Sequence, residues 1–248
     1  MNFTQLILLF GLLLIDISIG AKKNKSRQCD VKRMDRCATV VFVFGRRDVY
    51  LPKNQKEMVP HCQEEFEAED CVRSYARRCL RPFPRQLIGV ILLGASKVIK
   101  ERCTPEGTKE YLTHYTCIKK TIPKLHDCMD QLVVSLQAIV QKPADTRIPT
   151  ACCAFSRYIA CSIKPIRKMC PEDATAEEYI AVKMIKGYAS EVLDLACQGF
   201  EIGNERCNKI TIPDGGFQEK NGELVLVKNI TDKPLSLIPP FTDIFTQS

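Results

Sequence analysis

The 248-residue sequence contains no tryptophan and only three histidines. Without tryptophan, and without aromatic residues placed regularly among its arginines, the chain lacks the stacking surface on which single-stranded nucleic acids bind. His61, His114 and His126 do not have the spacing of a histidine-rich metal site. The sequence also lacks the common hydrolase motifs and a glycine-rich phosphate loop. We therefore predict no catalytic residues, no cofactor, no metal and no nucleic-acid partner.

Long hydrophobic runs are absent as well, because no segment reaches the roughly 18 consecutive apolar residues of a membrane-spanning helix. The most apolar stretch, residues 6–15, is followed by Ser18 and Gly20, which fit a signal-peptidase site. We predict a signal peptide over residues 1–20 and a secreted, extracellular protein without a membrane span. The first residues carry no Lys or Arg and a basic stretch follows at 22–27, so a membrane anchor is the alternative.

Cysteine is abundant, with 14 residues that all follow the predicted cleavage point. An even number of cysteines in an exported chain predicts disulfides rather than thiol catalysis or a zinc site. Twelve of them recur at an interval of about ninety residues, with offsets of 88 to 94: Cys29 and Cys117, Cys37 and Cys128, Cys62 and Cys153, Cys71 and Cys161, Cys79 and Cys170, Cys103 and Cys197. One of the adjacent pair Cys152 and Cys153 is additional to this pattern, together with Cys207, and the pairing stays open.

The segments between the cysteines have helical periodicity. Apolar residues recur every three or four positions over residues 87–102, at Ile88, Ile91, Leu92, Ala95 and Ile99. The corresponding run ends at Cys197 and follows a possible capping box at Thr175 and Glu178; its apolar positions are Ala181, Met184, Ile185, Tyr188, Val192 and Leu195. We therefore predict an all-α fold.

The proposed organisation is two homologous disulfide-stapled helical modules in tandem, residues 21–112 and 113–210, built from short helices. A cysteine-free tail that contains proline and glycine follows over residues 211–248. Two segments are ambiguous. Residues 40–44 fit a helix or a strand, and residues 224–227 fit a single strand or a segment lying along the modules.

Several candidate sites stand out on this framework. Asn24 and Asn229 begin glycosylation sequons. A basic patch could hold an acidic ligand, or could be a solvated face whose arginines pair with Glu67, Glu69 or Asp70. It consists of Arg73, Arg77, Arg78, Arg81 and Arg85. Ile91, Leu92 and Met184 could line a lipid pocket, although their helical spacing favours a place in the core.

The cysteine-spaced helices, the Arg-Pro-Phe-Pro-Arg stretch at residues 81–85 and the amphipathic run that ends at Cys103 resemble cysteine-rich secreted proteins of arthropods and nematodes. The insect hemolymph glycoproteins are the nearest named group. This resemblance implies an extracellular helical protein and no catalytic residues to carry over.

We predict a binding or carrier protein that holds a small hydrophobic or acidic ligand in a groove between helices or between modules. The second possibility is a salivary, venom or immune effector that meets an acidic glycan or protein through its basic face, since the formal net charge is +7. The third is a disulfide-stabilised hydrolase, because a spatial triad needs no sequence motif.

Overall fold

A computed structural model of the protein describes residues 29–220, 223–227 and 233–246. This part of the chain is mostly helical, which confirms the predicted fold class. Its elements are α1 (Val31–Val41), α2 (Gln55–Cys79), α3 (Pro82–Arg102), α4 (Pro105–Thr113), α5 (Tyr115–Ile139), α6 (Ala144–Met169), α7 (Gly187–Ala196), α8 (Glu205–Asn208), β1 (Phe217–Lys220), β2 (Glu223–Leu226) and α9 (Ile238–Thr246). The predicted signal peptide and both sequons, at Asn24 and Asn229, lie outside the described residues.

Two irregular helical segments join these elements. A single 3₁₀ turn, Val43–Gly45, follows α1, so the ambiguous residues 40–44 form the end of one helix, a bend at Phe42 and the start of the turn rather than a strand. A π-helical segment, Glu178–Lys186, leads directly into α7. No described helix has both the length and the apolar character that a bilayer span requires.

The prediction of short helices is wrong. Helices α2, α3, α5 and α6 contain 25, 21, 25 and 26 residues. The cysteine spacing does not mark helix ends, because residues such as Cys62, Cys71 and Cys128 lie inside a helix and bridge it to a neighbour. Helices of this length present several turns of apolar face to one another, which is what creates the interior described below.

Helix starts follow ordinary capping chemistry in some places and not in others. The side chain of Asn54 accepts a hydrogen bond from the Glu57 amide at 2.9 Å, and Thr104 accepts one from the Gly107 amide at 3.0 Å. The predicted capping box at Thr175 is wrong. Its hydroxyl instead donates to the Asp173 carboxylate at 3.3 Å, and no side chain caps the π segment.

All fourteen cysteines are paired, in seven disulfides. Three bridges join Cys29 to Cys79, Cys37 to Cys71 and Cys62 to Cys103. Four more join Cys117 to Cys170, Cys128 to Cys161, Cys152 to Cys197 and Cys153 to Cys207. Cys152, rather than the predicted Cys153, therefore makes the bridge that corresponds to Cys62–Cys103. Cys153 and Cys207 form the additional bridge.

The buried apolar side chains form two clusters, and each contains residues from both predicted modules. Phe44 and Met58 belong to a cluster with many residues of α5, α6 and the π segment, whereas Tyr188 packs in the other, against α3. Helices α3 and α7 approach closely because Gly94 faces the backbone of α7. The predicted modules thus pack against each other through a shared interior.

The cysteine-free tail has more structure than its composition predicted. Strands β1 and β2 form an antiparallel hairpin in which Phe217 lies opposite Leu226, so residues 224–226 are in a paired strand rather than a single one. Helix α9, which was not predicted, packs against α1, α3, α5 and α6. The Asp35 carboxylate fixes the chain just before α9 by accepting hydrogen bonds from the amides of Leu235 at 2.7 Å and Ser236 at 2.9 Å.

Candidate functional site

A narrow apolar cavity of about 90 Å³ lies where the two predicted modules and α9 meet. Its wall is almost entirely hydrocarbon and sulfur. The first module contributes Phe42, Phe44 and Ile91, and the tail contributes Leu237, Phe241 and Phe245. The second module supplies the remaining wall: Met129, Leu132, Leu136, Ile148, Ala151, Cys152, Phe155, Tyr158, Ile185, Tyr188, Ala189, Val192, Leu193, Ala196 and Cys197.

Helical periodicity explains why these side chains converge. Met129, Leu132 and Leu136 recur at intervals of three and four residues along α5, and they form one stripe of that helix. Phe241 and Phe245 are one turn apart on α9, with ring centroids 5.0 Å apart. Each helix therefore presents one apolar stripe to the same space.

The cavity has a buried floor and a more accessible mouth. Leu132, Tyr158 and Tyr188 are buried. The mouth lies between α6, α7 and α9, where Ile148 is 37% exposed and Phe245 is partly exposed. At this mouth one disulfide, Cys152–Cys197, links α6 to the end of α7. The cysteine-free α9 forms a wall that no covalent cross-link holds.

Among the described residues that line the cavity, only Tyr158 and Tyr188 carry a side-chain oxygen atom. The Tyr188 hydroxyl accepts a hydrogen bond from Arg102 Nη1 at 3.1 Å, and burial raises the pKa of Tyr188 to about 12. The Tyr158 hydroxyl is buried and makes no hydrogen bond within the described part of the chain. Burial raises the pKa of Tyr158 above its ordinary value, so both phenols are neutral at physiological pH.

A buried ion pair supports the cavity from behind. Arg102 donates to Glu65 as well as to Tyr188, and these three residues connect α2, α3 and α7. Burial alone would lower the pKa of Arg102, but the Glu65 carboxylate raises it overall. The acidic run at residues 64–70 was explained in the sequence by charge balance. Glu65 takes part in this balance by pairing with an arginine on the next helix.

Glu65 also lies beside a disulfide, which could be mistaken for a metal site. A Glu65 carboxylate oxygen and the sulfur atoms of Cys62 and Cys103 lie within 4.8 Å of one another. The two sulfur atoms are bonded to each other, so they are not thiolates and cannot act as metal ligands in this state. The cluster is structural.

The predicted basic patch lies away from the cavity, at the end of α2 and the start of α3. Arg73 forms an ion pair with Glu69 at 2.5 Å, and Arg77 lies 3.7 Å from Asp70. The remaining members are exposed and form no ion pair among the described residues: Arg78, Arg81 and Arg85. The patch is therefore partly neutralised at one end and open at the other.

A histidine–carboxylate pair is the arrangement nearest to the hydrolase alternative. His114 Nδ1 lies 2.8 Å from an Asp173 carboxylate oxygen, and the ring stacks on Tyr179 with centroids 4.5 Å apart. Within the described residues, no serine, threonine or cysteine side chain is hydrogen-bonded to this histidine. The pair links the start of α5 to the loop after Cys170.

The sequence analysis predicted one residue that lines the cavity but did not predict the residues that α9 contributes. Ile91 lines the cavity, as the lipid-pocket alternative required, whereas Leu92 and Met184 are buried in the core. Phe241 and Phe245 were missed, although their four-residue spacing was a readable signal. Comparison of the chain with protein-family models, with curated proteins and with solved structures finds no match.

Proposed function

We propose that the protein is a secreted carrier that binds a hydrophobic ligand in the apolar cavity. The observation that carries this proposal is the wall itself, in which three separate parts of the chain place apolar side chains around one space with an accessible mouth. Ligand pockets are typically apolar and concave, with few polar groups that fix orientation. Tyr158, whose buried hydroxyl has no hydrogen-bond partner among the described residues, is suited to that orienting role.

The size of the cavity indicates how the ligand enters. At about 90 Å³ it is smaller than the roughly 300 to 1,000 Å³ of typical ligand pockets. We therefore expect binding to displace the Phe241 and Phe245 side chains, with α9 pivoting about the hydrogen bonds that Asp35 makes before its first turn. The cross-linked helices α6 and α7 would keep their places.

Secretion and the internal repeat belong to the same proposal. Seven disulfides are typical of an oxidising compartment, and the predicted signal peptide would deliver the chain there. The repeat is supported by three pairs of equivalent bridges with similar sequence separations: 50 and 53, 34 and 33, 41 and 45 residues. The resemblance to insect hemolymph glycoproteins and glycosylation of Asn24 and Asn229 stay predictions.

A neutral fluorescent probe tests the binding proposal. Phenylnaphthylamine is apolar and uncharged, and its fluorescence rises in an apolar site. We expect saturable binding to the purified, fully disulfide-bonded protein. Ala189→Phe, which fills the cavity from α7, is expected to weaken binding at least tenfold, because the ring occupies the probe's space.

Leu195→Phe is the matched control, because Leu195 lies on the same helix but is 73% exposed. It should bind the probe as the unaltered protein does. Circular dichroism and thermal unfolding establish that both variants are folded. Absence of saturable binding by the unaltered protein, or equal affinities in the two variants, would contradict the proposal.

The open end of the basic patch favours a second candidate function, binding of an acidic glycan. Arg78, Arg81 and Arg85 are exposed and lack ion pairs among the described residues. We expect Arg81→Ser with Arg85→Ser to reduce retention on immobilised heparin more than Lys97→Ser with Lys100→Ser, which removes the same charge elsewhere. Equal reductions would mean that only net charge matters.

A further inference from the structure

A second groove, separate from the apolar cavity, lies between α5, α6 and the β-hairpin. Its volume of about 600 Å³ falls within the range of ligand sites. Its lining combines cationic side chains with apolar ones. One of the cations, Arg157 of α6, has an unusual set of hydrogen-bond partners.

Arg157 is a half-buried cation without a carboxylate partner. Its Nη2 donates to the Ser135 hydroxyl at 2.7 Å and to the Pro213 carbonyl at 2.9 Å, and it forms no ion pair within the described residues. The Nε and Nη1 groups make no hydrogen bond to the described part of the chain. A guanidinium has five N–H donors, so the one on Nε and the two on Nη1 are left to donate hydrogen bonds to an anion.

The electrostatics of Arg157 differ from those of paired arginines in the same protein. Burial lowers the pKa of Arg157, and the nearby Asp214 carboxylate offsets this effect only in part; by contrast, carboxylate partners raise the pKa of Arg46 and, against the effect of burial, that of Arg47. A buried charge without a counter-ion is unfavourable, and proteins seldom keep one without a partner. An anionic ligand would supply that partner.

The surrounding charges leave the groove receptive to an anion. Lys124, Lys164 and Lys168 also line it, against three acidic residues. Asp127 is engaged by Arg47 at 2.7 Å, and Glu219 by Lys164 at 2.8 Å. The third acid, Asp214, accepts a hydrogen bond from the Gly216 amide at 3.0 Å.

Apolar side chains define the rest of the ligand. Met169, Phe217 and Leu224 line the same groove, and Phe217 is buried at the start of the hairpin. We infer that this groove binds an amphipathic organic anion, with its acid group on the Nε and Nη1 donors of Arg157 and its apolar body against the hairpin. The inference uses different residues from the proposed carrier function and can fail or hold independently of it.

Two probes that share an aromatic body separate the sites. Anilinonaphthalenesulfonate carries a sulfonate that phenylnaphthylamine lacks. We expect Arg157→Met to weaken sulfonate binding about tenfold or more and to leave the neutral probe unaffected, since a charge-assisted hydrogen bond is lost. Arg36→Met is the control, because it removes an equally positive but exposed side chain outside the proposed sites and should leave both probes unchanged.

Equal weakening by Arg157→Met and Arg36→Met would overturn the inference, because it would indicate a general effect of charge. Loss of sulfonate binding in Ala189→Phe but not in Arg157→Met would also overturn it, because the probe would then occupy the apolar cavity. A second measurement needs no variant. In amide NMR spectra of the unaltered protein, the sulfonate should shift Phe217 and Leu224, and shifts confined to Phe241 and Phe245 would contradict the assignment.

Discussion

Gly94 offers a sharp test of how closely α3 and α7 pack. A Cβ atom at this position would lie 2.8 Å from the carbonyl oxygen of Tyr188 and 3.0 Å from that of Gly187. Both oxygens belong to the backbone and cannot rotate away. Ordinary contact begins at 3.4 Å, so α7 would have to retreat by the difference from 2.8 Å, about 0.6 Å.

Gly89 is a matched control on the same helix, because a Cβ atom there would meet nothing within 4 Å. Alanine is favoured over glycine inside a helix by about 1 kcal/mol, so Gly89→Ala should raise the free energy of unfolding by about that amount. Gly94→Ala gains the same helix propensity, but the added methyl group overpacks the contact with α7 and costs about 1 to 3 kcal/mol. We expect it to be less stable than Gly89→Ala by about 1 to 3 kcal/mol.

Guanidinium unfolding of the disulfide-bonded proteins, followed by circular dichroism, measures this difference. Both variants gain the same helix propensity, so the difference between their free energies of unfolding reports the contact between α3 and α7. Equal stabilisation by Gly94→Ala and Gly89→Ala would refute the close approach of α3 and α7. Because Tyr188 and α7 line the apolar cavity, Gly94→Ala should also change the affinity for phenylnaphthylamine, whereas Gly89→Ala should not.

Three further predictions concern stability. Arg102→Met should lower the free energy of unfolding by about 3 to 5 kcal/mol, since it leaves a buried carboxylate without its counter-ion; a loss below about 1 kcal/mol in denaturant titrations would contradict this. Replacing both Cys153 and Cys207 by serine should cost about 4 kcal/mol through the 54-residue loop that the bridge closes, and an unchanged melting temperature would argue against that bridge. Burial lowers the pKa of His61 and of His126, so the unfolded chain binds more protons below its ordinary histidine pKa of about 6.5. Stability should therefore fall as the pH drops from 7 towards 5, and His61→Gln with His126→Gln should reduce that slope; an identical slope would contradict the assignment.

The helical class could be predicted because apolar periodicity and burial coincide over most of the chain. Ile88, Leu92 and Ile99, chosen from spacing alone, are each at most 1% exposed. Paired cysteines followed from their number and the predicted compartment. The disulfide partners did not follow, because pairing depends on how the long helices pack against one another. Cys152 and Cys153 are adjacent in the sequence, and only the packing decides which of them faces Cys197 and which faces Cys207.

Two failures have local physical causes. Leu195 was placed on the buried face by continuing a regular period from Ala181, but it is 73% exposed. The π segment Glu178–Lys186 has wider turns than an α-helix, so the apolar face rotates before α7 begins. Pro239 and Pro240 suggested a tail without a helix. Both lie in the first turn of α9, where a missing amide donor leaves no intrahelical bond unmade.

The candidate sites were harder to predict than the fold, because each depends on contacts between distant segments. No spacing rule relates Phe44, Leu136 and Phe241, which meet at the cavity from three parts of the chain. Arg157 was not singled out because its distinguishing property is that it forms no ion pair with any described carboxylate. That property exists only after α5, α6 and the hairpin have come together.

Native mass spectrometry of the protein isolated from its own secretion tests the central claim most directly. We expect a folded species that carries an additional apolar molecule, and we expect Ala189→Phe, secreted by the same cells, to lack that added mass while Leu195→Phe retains it. A protein that is recovered reproducibly without any bound molecule, and that also fails to bind phenylnaphthylamine, would contradict the carrier function.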